Sequence, residues 1–179
     1  MRAVKIPLIL PALAAAMLCG PAAGQGTSAL RGHDTNAPVD FSADRIEVQD
    51  RSDRAVLSGN VRVRQASLAL DAARINIAYT SGSGIEIDRI DASGGVTVRS
   101  PSETARGQFA VYDISRRLIT MVGGVTLTRG ENVVRGGRLV LDLASGRATM
   151  DGGGTVRGAS GAGTGGRVTG RFTVPQRKN

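Results

Sequence analysis

Chemistry in a folded chain needs a nucleophile, a base or a metal ligand, and this 179-residue sequence supplies few of them. Cysteine and histidine occur once each, as Cys19 and His33, so a thiolate or imidazole metal cluster, a disulfide framework and a Cys/His catalytic pair all lack partners. General-base work would fall to carboxylates such as Asp71, Glu86, Asp91, Asp113 and Asp142, and a paired-carboxylate hydrolase is conceivable. Their neighbours argue against it. Glu86 alternates with Ile85 and Ile87, and others fall among turn residues, where a solvated face or turn chemistry accounts for them. Gly161-Ala162-Gly163-Thr164-Gly165-Gly166 matches the G-x-G-x-x-G pattern but has neither the preceding buried strand nor the following helix that cradles a phosphate. It reads as a flexible linker within a Gly-rich, basic tail over residues 158–179. The residues imply no enzyme and no cofactor.

Basic side chains are the other chemically marked group. Lys plus Arg number 23 against 15 Asp plus Glu, a formal charge of +8. Arg62, Arg64, Arg99, Arg106, Arg116, Arg117, Arg129, Arg135 and Arg138 are explained as wet faces and turns, or some of them meet an anionic partner, since a guanidinium fork suits phosphate. DNA, RNA and phosphorylated lipid all qualify by charge. With 3% aromatic residues and no Trp, the chain has few platforms on which single-stranded nucleic acid could stack.

The N-terminus points the same way. Arg2 and Lys5 precede an apolar stretch, Ile6 to Gly20, broken by Pro7 and Pro11, and Ala22-Ala23-Gly24 offers small residues to a signal peptidase. A comfortable membrane span needs roughly 20 apolar residues. Residues 1–24 are therefore expected to be a cleaved signal peptide rather than a retained anchor, and Leu18 is bulky for lipoprotein processing at Cys19. The mature chain then starts near Gln25 without cysteine, which suits the periplasm. Export disfavours nucleic acid as a partner. Residues 25–37 are small and polar and read as a disordered lead-in, with His33 solvated.

A repeat organises the rest. Gly94-Gly95-Val96-Thr97-Val98 recurs 29 residues later as Gly123-Gly124-Val125-Thr126-Leu127, and 29 residues later again, more weakly, as Gly152-Gly153-Gly154-Thr155-Val156. A looser copy, Gly59-Asn60-Val61-Arg62-Val63, lies 35 residues before Gly94, which places an insertion near Ser81-Gly82-Ser83-Gly84. Such a period means one supersecondary unit stacked several times. Leu57, Val61 and Val63 alternate with polar residues, and so do Ile119, Met121, Val125 and Leu127, which is strand spacing. A Gly inside a strand marks a bend. Its recurrence in each repeat makes the bends stack, so the sheet is folded into a V or a roll. Alternation alone fits a sealed β-sandwich core better than an open groove.

Four segments carry a resemblance: Pro38-Val39-Asp40-Phe41-Ser42-Ala43-Asp44; Ser58-Gly59-Asn60-Val61-Arg62-Val63; Gly107-Gln108-Phe109-Ala110-Val111-Tyr112-Asp113; and Gly123-Gly124-Val125-Thr126-Leu127 with Asn132-Val133-Val134-Arg135-Gly136. In order and repetition they resemble the OstA-type domain of lipopolysaccharide transport, over about residues 38–157. The resemblance implies an all-β, twisted open β-jellyroll with a hydrophobic groove. It implies a periplasmic protein that shields the acyl chains of lipopolysaccharide, on its lipid A part, between inner and outer membrane. Copies would join end to end, and to inner-membrane and outer-membrane OstA-like components, by pairing edge strands. On that reading the groove is lined by Phe41, Ile46, Val48, Leu57, Val61, Val63, Ile75, Ile77, Val96, Val98, Phe109, Val111, Ile119, Met121, Val125, Leu127, Leu139 and Leu141. A membrane-anchored sister component, or a basic exported β-repeat protein that binds another anionic polymer, are the alternatives.

Overall fold

The computed structural model describes residues 33–82, 84–153 and 166–173. The signal-peptide reading, the start of the lead-in and most of the Gly161–Gly166 run lie outside them. The described residues form ten strands: β1 Val39–Ser42, β2 Arg45–Gln49, β3 Arg54–Gln65, β4 Leu68–Ser81, β5 Ile85–Arg99, β6 Glu103–Asp113, β7 Leu118–Arg129, β8 Asn132–Asp142, β9 Arg147–Asp151 and β10 Thr169–Arg171. Period two is visible in each long strand. In β3, Val61, Val63 and Gln65 are buried while Arg62 and Arg64 between them are exposed.

All ten strands belong to one antiparallel sheet in the order β1-β3-β4-β5-β6-β7-β8-β10, with β2 also beside β3 and β9 also beside β8. β1 and β2 lie end to end along β3, and β9 and β10 do the same along β8. Each edge of the sheet is therefore one interrupted strand.

The register slips at a common level across the sheet, between Ser58 and Val61, Ser93 and Val96, and Val122 and Val125. Here Gly59 and Asn60, Gly94 and Gly95, and Gly123 and Gly124 all have positive φ, the last pair at 90° and 65°. Two successive left-handed residues turn the strand sharply, and a side chain with a Cβ adopts them only at a cost. A Cβ on Gly123 would also sit 2.7 Å from Cβ of Gln108 on β6. The stacked bends expected from the repeat are thus present, and they divide the sheet into two arms. The first arm carries Arg54 to Ser58 of β3 and the strand segments paired with it; the second carries Val61 to Gln65 and its neighbours. β4 is three residues longer than β6, the part of β5 before its bend (85–93) is four longer than that of β7 (118–122), and the turn between is one shorter, which accounts for the six extra residues of the first period.

Two boundary readings change. Residues 33–37, read as disordered lead-in with a solvated His33, pack on the sheet. Gln65 Nε2 donates to the carbonyls of Thr35 at 2.8 Å and Ala37 at 3.1 Å, and His33 Nε2 lies 3.3 Å from Gln65 Oε1. The cause is parity: Gln65 follows Val61 and Val63 inward, and a buried amide must find partners. At the other end, β10 lies within the span read as tail. β9 ends at Asp151, and the carbonyl of Gly166 packs directly on Gly152. Thr169 to Arg171 then pairs with Arg135 to Val133.

Candidate functional site

The inner face is built from cross-strand rows. On the first arm Ile46, Leu57, Ile75, Ala92, Ala110, Met121, Leu139 and Met150 stand opposite one another in succession, from the first edge to the last. Beside them run Val48, Ala55, Ile77, Ile90, Tyr112, Ile119, Leu141 and Ala148. On the second arm the row is Phe41, Val63, Leu70, Val98, Ala105, Leu127, Val134 and Gly170. Val61, Val96 and Val125 sit next to the bend.

In the middle strands this interior is packed. Leu57, Ile75, Ile119, Met121 and Leu139 are 0% exposed, and Val61, Val63, Ile77, Val96, Val98, Val125 and Leu141 are 5% exposed or less. Leu127 is half-buried. At the first edge the same face is open: Phe41 and Ile46 are each 46% exposed and Val48 is 59% exposed. At the last edge a cavity of about 510 Å³ lies between the arms, lined by Leu127, Val134, Ala148 and Phe172 together with Arg129, Asn132 and Arg147.

Phe109 and Val111 were expected on this face and are not there. They point outward, opposite Val122 and Thr120. Across the bend β6 takes three steps, Arg106 to Phe109, where β7 takes four, Thr126 to Val122; that odd step switches the alternation of β6, so the inward set runs Glu103, Ala105, Gly107 and then Ala110, Tyr112. Size misled the sequence reading, because β6 lines the interior with alanines. Ile90, Leu68, Leu70 and Leu143 were missed although each is buried; the spacing of Leu68 and Leu70 could have revealed them.

A polar tie joins the arms. Tyr112, on the first arm, donates its hydroxyl to Gln65 Oε1, on the second, at 2.7 Å, and both are buried. Burial pushes the Tyr112 pKa up to about 12, against an opposing pull from Arg117, so the phenol stays a neutral donor. Arg129, beside the cavity, makes two hydrogen bonds to Glu103 Oε2, at 2.7 and 3.2 Å.

A folded sheet with an aliphatic interior and unpaired edges agrees with what the chain matches. Residues 40–147 match the family described as LptA/(LptD N-terminal domain) LPS transport protein. The chain belongs to this LPS transport family. An uncharacterised protein of Rhizobium meliloti (strain 1021) is 28% identical to it over 127 residues, covering 66% of this chain and 68% of that protein. Among solved structures, the chain resembles LptH from Pseudomonas aeruginosa, described as the LptA homologous periplasmic component of the conserved lipopolysaccharide transport device. That likeness has a TM-score of 0.67 at 17% identity and covers 79% of this chain and 99% of that one, so the two share the fold. The LPS transport family is one of carriers rather than catalysts, and Asp71, Asp91, Asp113 and Asp142 have local structural partners. Asp113 accepts from the Arg116 amide at 2.9 Å, and Asp142 from the amides of Ala144 at 2.9 Å and Ser145 at 3.0 Å. No helix among the described residues is long and apolar enough to cross a membrane.

Proposed function

We propose that this domain carries lipopolysaccharide across the periplasm with its acyl chains held against the inner face of the folded sheet. Copies pair edge to edge, and with OstA-like domains at the inner and outer membranes, to form a bridge. The observation that carries this reading is the run of the apolar rows from one free edge to the other, with Phe41, Ile46 and Val48 exposed at the first edge and Ala148 and Met150 half-buried at the last. An acyl chain of about a dozen methylenes loses on the order of 10 kcal/mol in water, at roughly 0.8 per methylene, so transit needs continuous apolar cover. In the middle strands the arms rest on each other, and an entering chain takes the place of that packing. The cavity at the last edge is the point of entry, because the Gln65–Tyr112 tie holds the arms together further toward the first edge.

Chain direction supports the joint. The first edge runs from the second arm to the first, as β1 then β2, and the last edge runs from the first arm to the second, as β9 then β10. The last edge of one copy laid beside the first edge of the next therefore continues the antiparallel alternation, arm to arm. A photocrosslinking residue at Leu127, on the inner face, is expected to capture lipopolysaccharide. One at Thr126, the next position and on the outer face, is expected not to. Equal capture at both would sink the interior assignment.

A further inference from the structure

The basic excess is not spread evenly over the outer face. On the second arm, two cross-strand rows carry Arg62, Arg106 and Arg135, and Arg64, Arg99 and Arg171, against only two carboxylates, Asp40 and Asp71. Asp71 is already shared by Arg62 and Arg99. Arg64, Arg106, Arg135 and Arg171 are exposed and form no ion pair among the described residues. On the first arm the three outer rows come within one charge of balance, with Glu47, Asp91, Asp113, Asp142 and Asp151 against six arginines.

Neighbouring strands lie about 4.8 Å apart, so Arg106 on β6 and Arg135 on β8 are held about 10 Å apart with Thr126 between them. Thr97 and Thr169 flank them in the same row, adding hydroxyl donors. The unpaired arginines spread from β3 to β10 across a sheet face instead of converging on a cleft. A single small anion could engage at most a few of them, whereas a plane of phosphates engages all. We propose that the outer face of the second arm is a membrane-docking surface for the anionic phospholipid headgroups of a bilayer. It lies on the opposite side of the sheet from the apolar interior and does not depend on what that interior binds. Docking there would set the domain with its second arm on the membrane and leave its edges free.

The test is co-sedimentation of the purified chain with vesicles of phosphatidylglycerol and phosphatidylcholine, and with phosphatidylcholine alone. Each arginine near an anionic bilayer contributes about fivefold to partitioning, so Arg106→Gln with Arg135→Gln should lose about 25-fold. Arg74→Gln with Arg138→Gln removes the same charge from exposed positions on the first arm and should change partitioning less than about twofold. Binding of the unaltered protein should vanish on neutral vesicles and fall steeply with salt. Circular dichroism checks folding; should the first pair misfold, Arg64→Gln with Arg171→Gln carries the same expectation. Equal losses from the two arms, or equal binding to neutral vesicles, would overturn the proposal. So would soluble polyphosphate binding as tightly as anionic vesicles at equal phosphate through the same arginines, since the surface would then be a general polyanion site. Lipopolysaccharide crosslinking at Leu127 without vesicle binding would remove this proposal and leave the transport reading intact.

Discussion

Asp71 lies on β4 between Arg62 on β3 and Arg99 on β5, accepting from Arg62 Nε at 2.7 Å and from Arg99 Nη1. Burial pushes its pKa up, but the hydrogen bonds from the two guanidinium groups outweigh that and hold it below the usual carboxylate range. A carboxyl whose folded pKa is depressed adds stability above its unfolded value, about 4, and loses it as pH falls through the lower folded value. Asp113 and Asp142 are also depressed, each chiefly by a turn amide, from Arg116 and from Ser145. Asp71→Asn should therefore cost about 1 kcal/mol in urea unfolding at pH 7. The deficit should shrink steadily as the pH is taken below about 4. A deficit independent of pH would mean that the residue acts through shape rather than charge.

A strand here is two half-strands joined at a bend, and the bend depends on glycine. Gly123 combines φ of 90° with a would-be Cβ only 2.7 Å from Gln108, whereas Gly124, at φ of 65°, faces open space. Gly124→Ala should cost about 1 kcal/mol from backbone strain alone. Gly123→Ala should cost about 2 kcal/mol or more, and Gln108→Gly should restore part of the difference. Equal melting shifts for the two alanine variants would show that the close approach to β6 contributes nothing. This layer was largely legible in the sequence, because period two and the 29-residue recurrence of Gly-Gly fix both strand type and bend level. The bend was also where legibility ended. A strand that crosses the bend in an odd number of steps swaps the side that faces in, as β6 does between Gly107 and Ala110, so Phe109 and Val111 were misassigned while Ala105 and Ala110 passed unnoticed. Gln65 was readable by parity from Val61 and Val63, but a polar residue inside an apolar row is recognised only once its partner is known. Tyr112 lies 47 residues away in the chain.

The molecule as a whole is an open sheet with two free margins, a geometry that proteins normally protect against aggregation. Its first margin is short, four residues in β1 and five in β2, and bends at Ala43 and Asp44, where Asp44 accepts a hydrogen bond from Asn60 at 2.9 Å. Phe41→Pro should remove a donor from the margin and weaken end-to-end assembly, while the remaining strands keep the domain folded. Light scattering at rising concentration would report the change; an unaltered mass distribution beside an unaltered melting curve would show that this margin is not the joint. Charge was foreseen here only as a total. Its concentration on one arm depends on which arginines share a row, which pairing register alone reveals.

The two margins are formed by residues that flank the Gly-Gly units, and none of the units in between is needed to make them. Each 29-residue unit adds two strands, or about 10 Å, to the distance between the margins, without altering the cross-section of the roll. On the proposed edge-to-edge joint, the protein is a ruler with fixed connectors. Duplicating or deleting one unit in a gene would change its reach by one whole increment, and the new length would still fit the same neighbours.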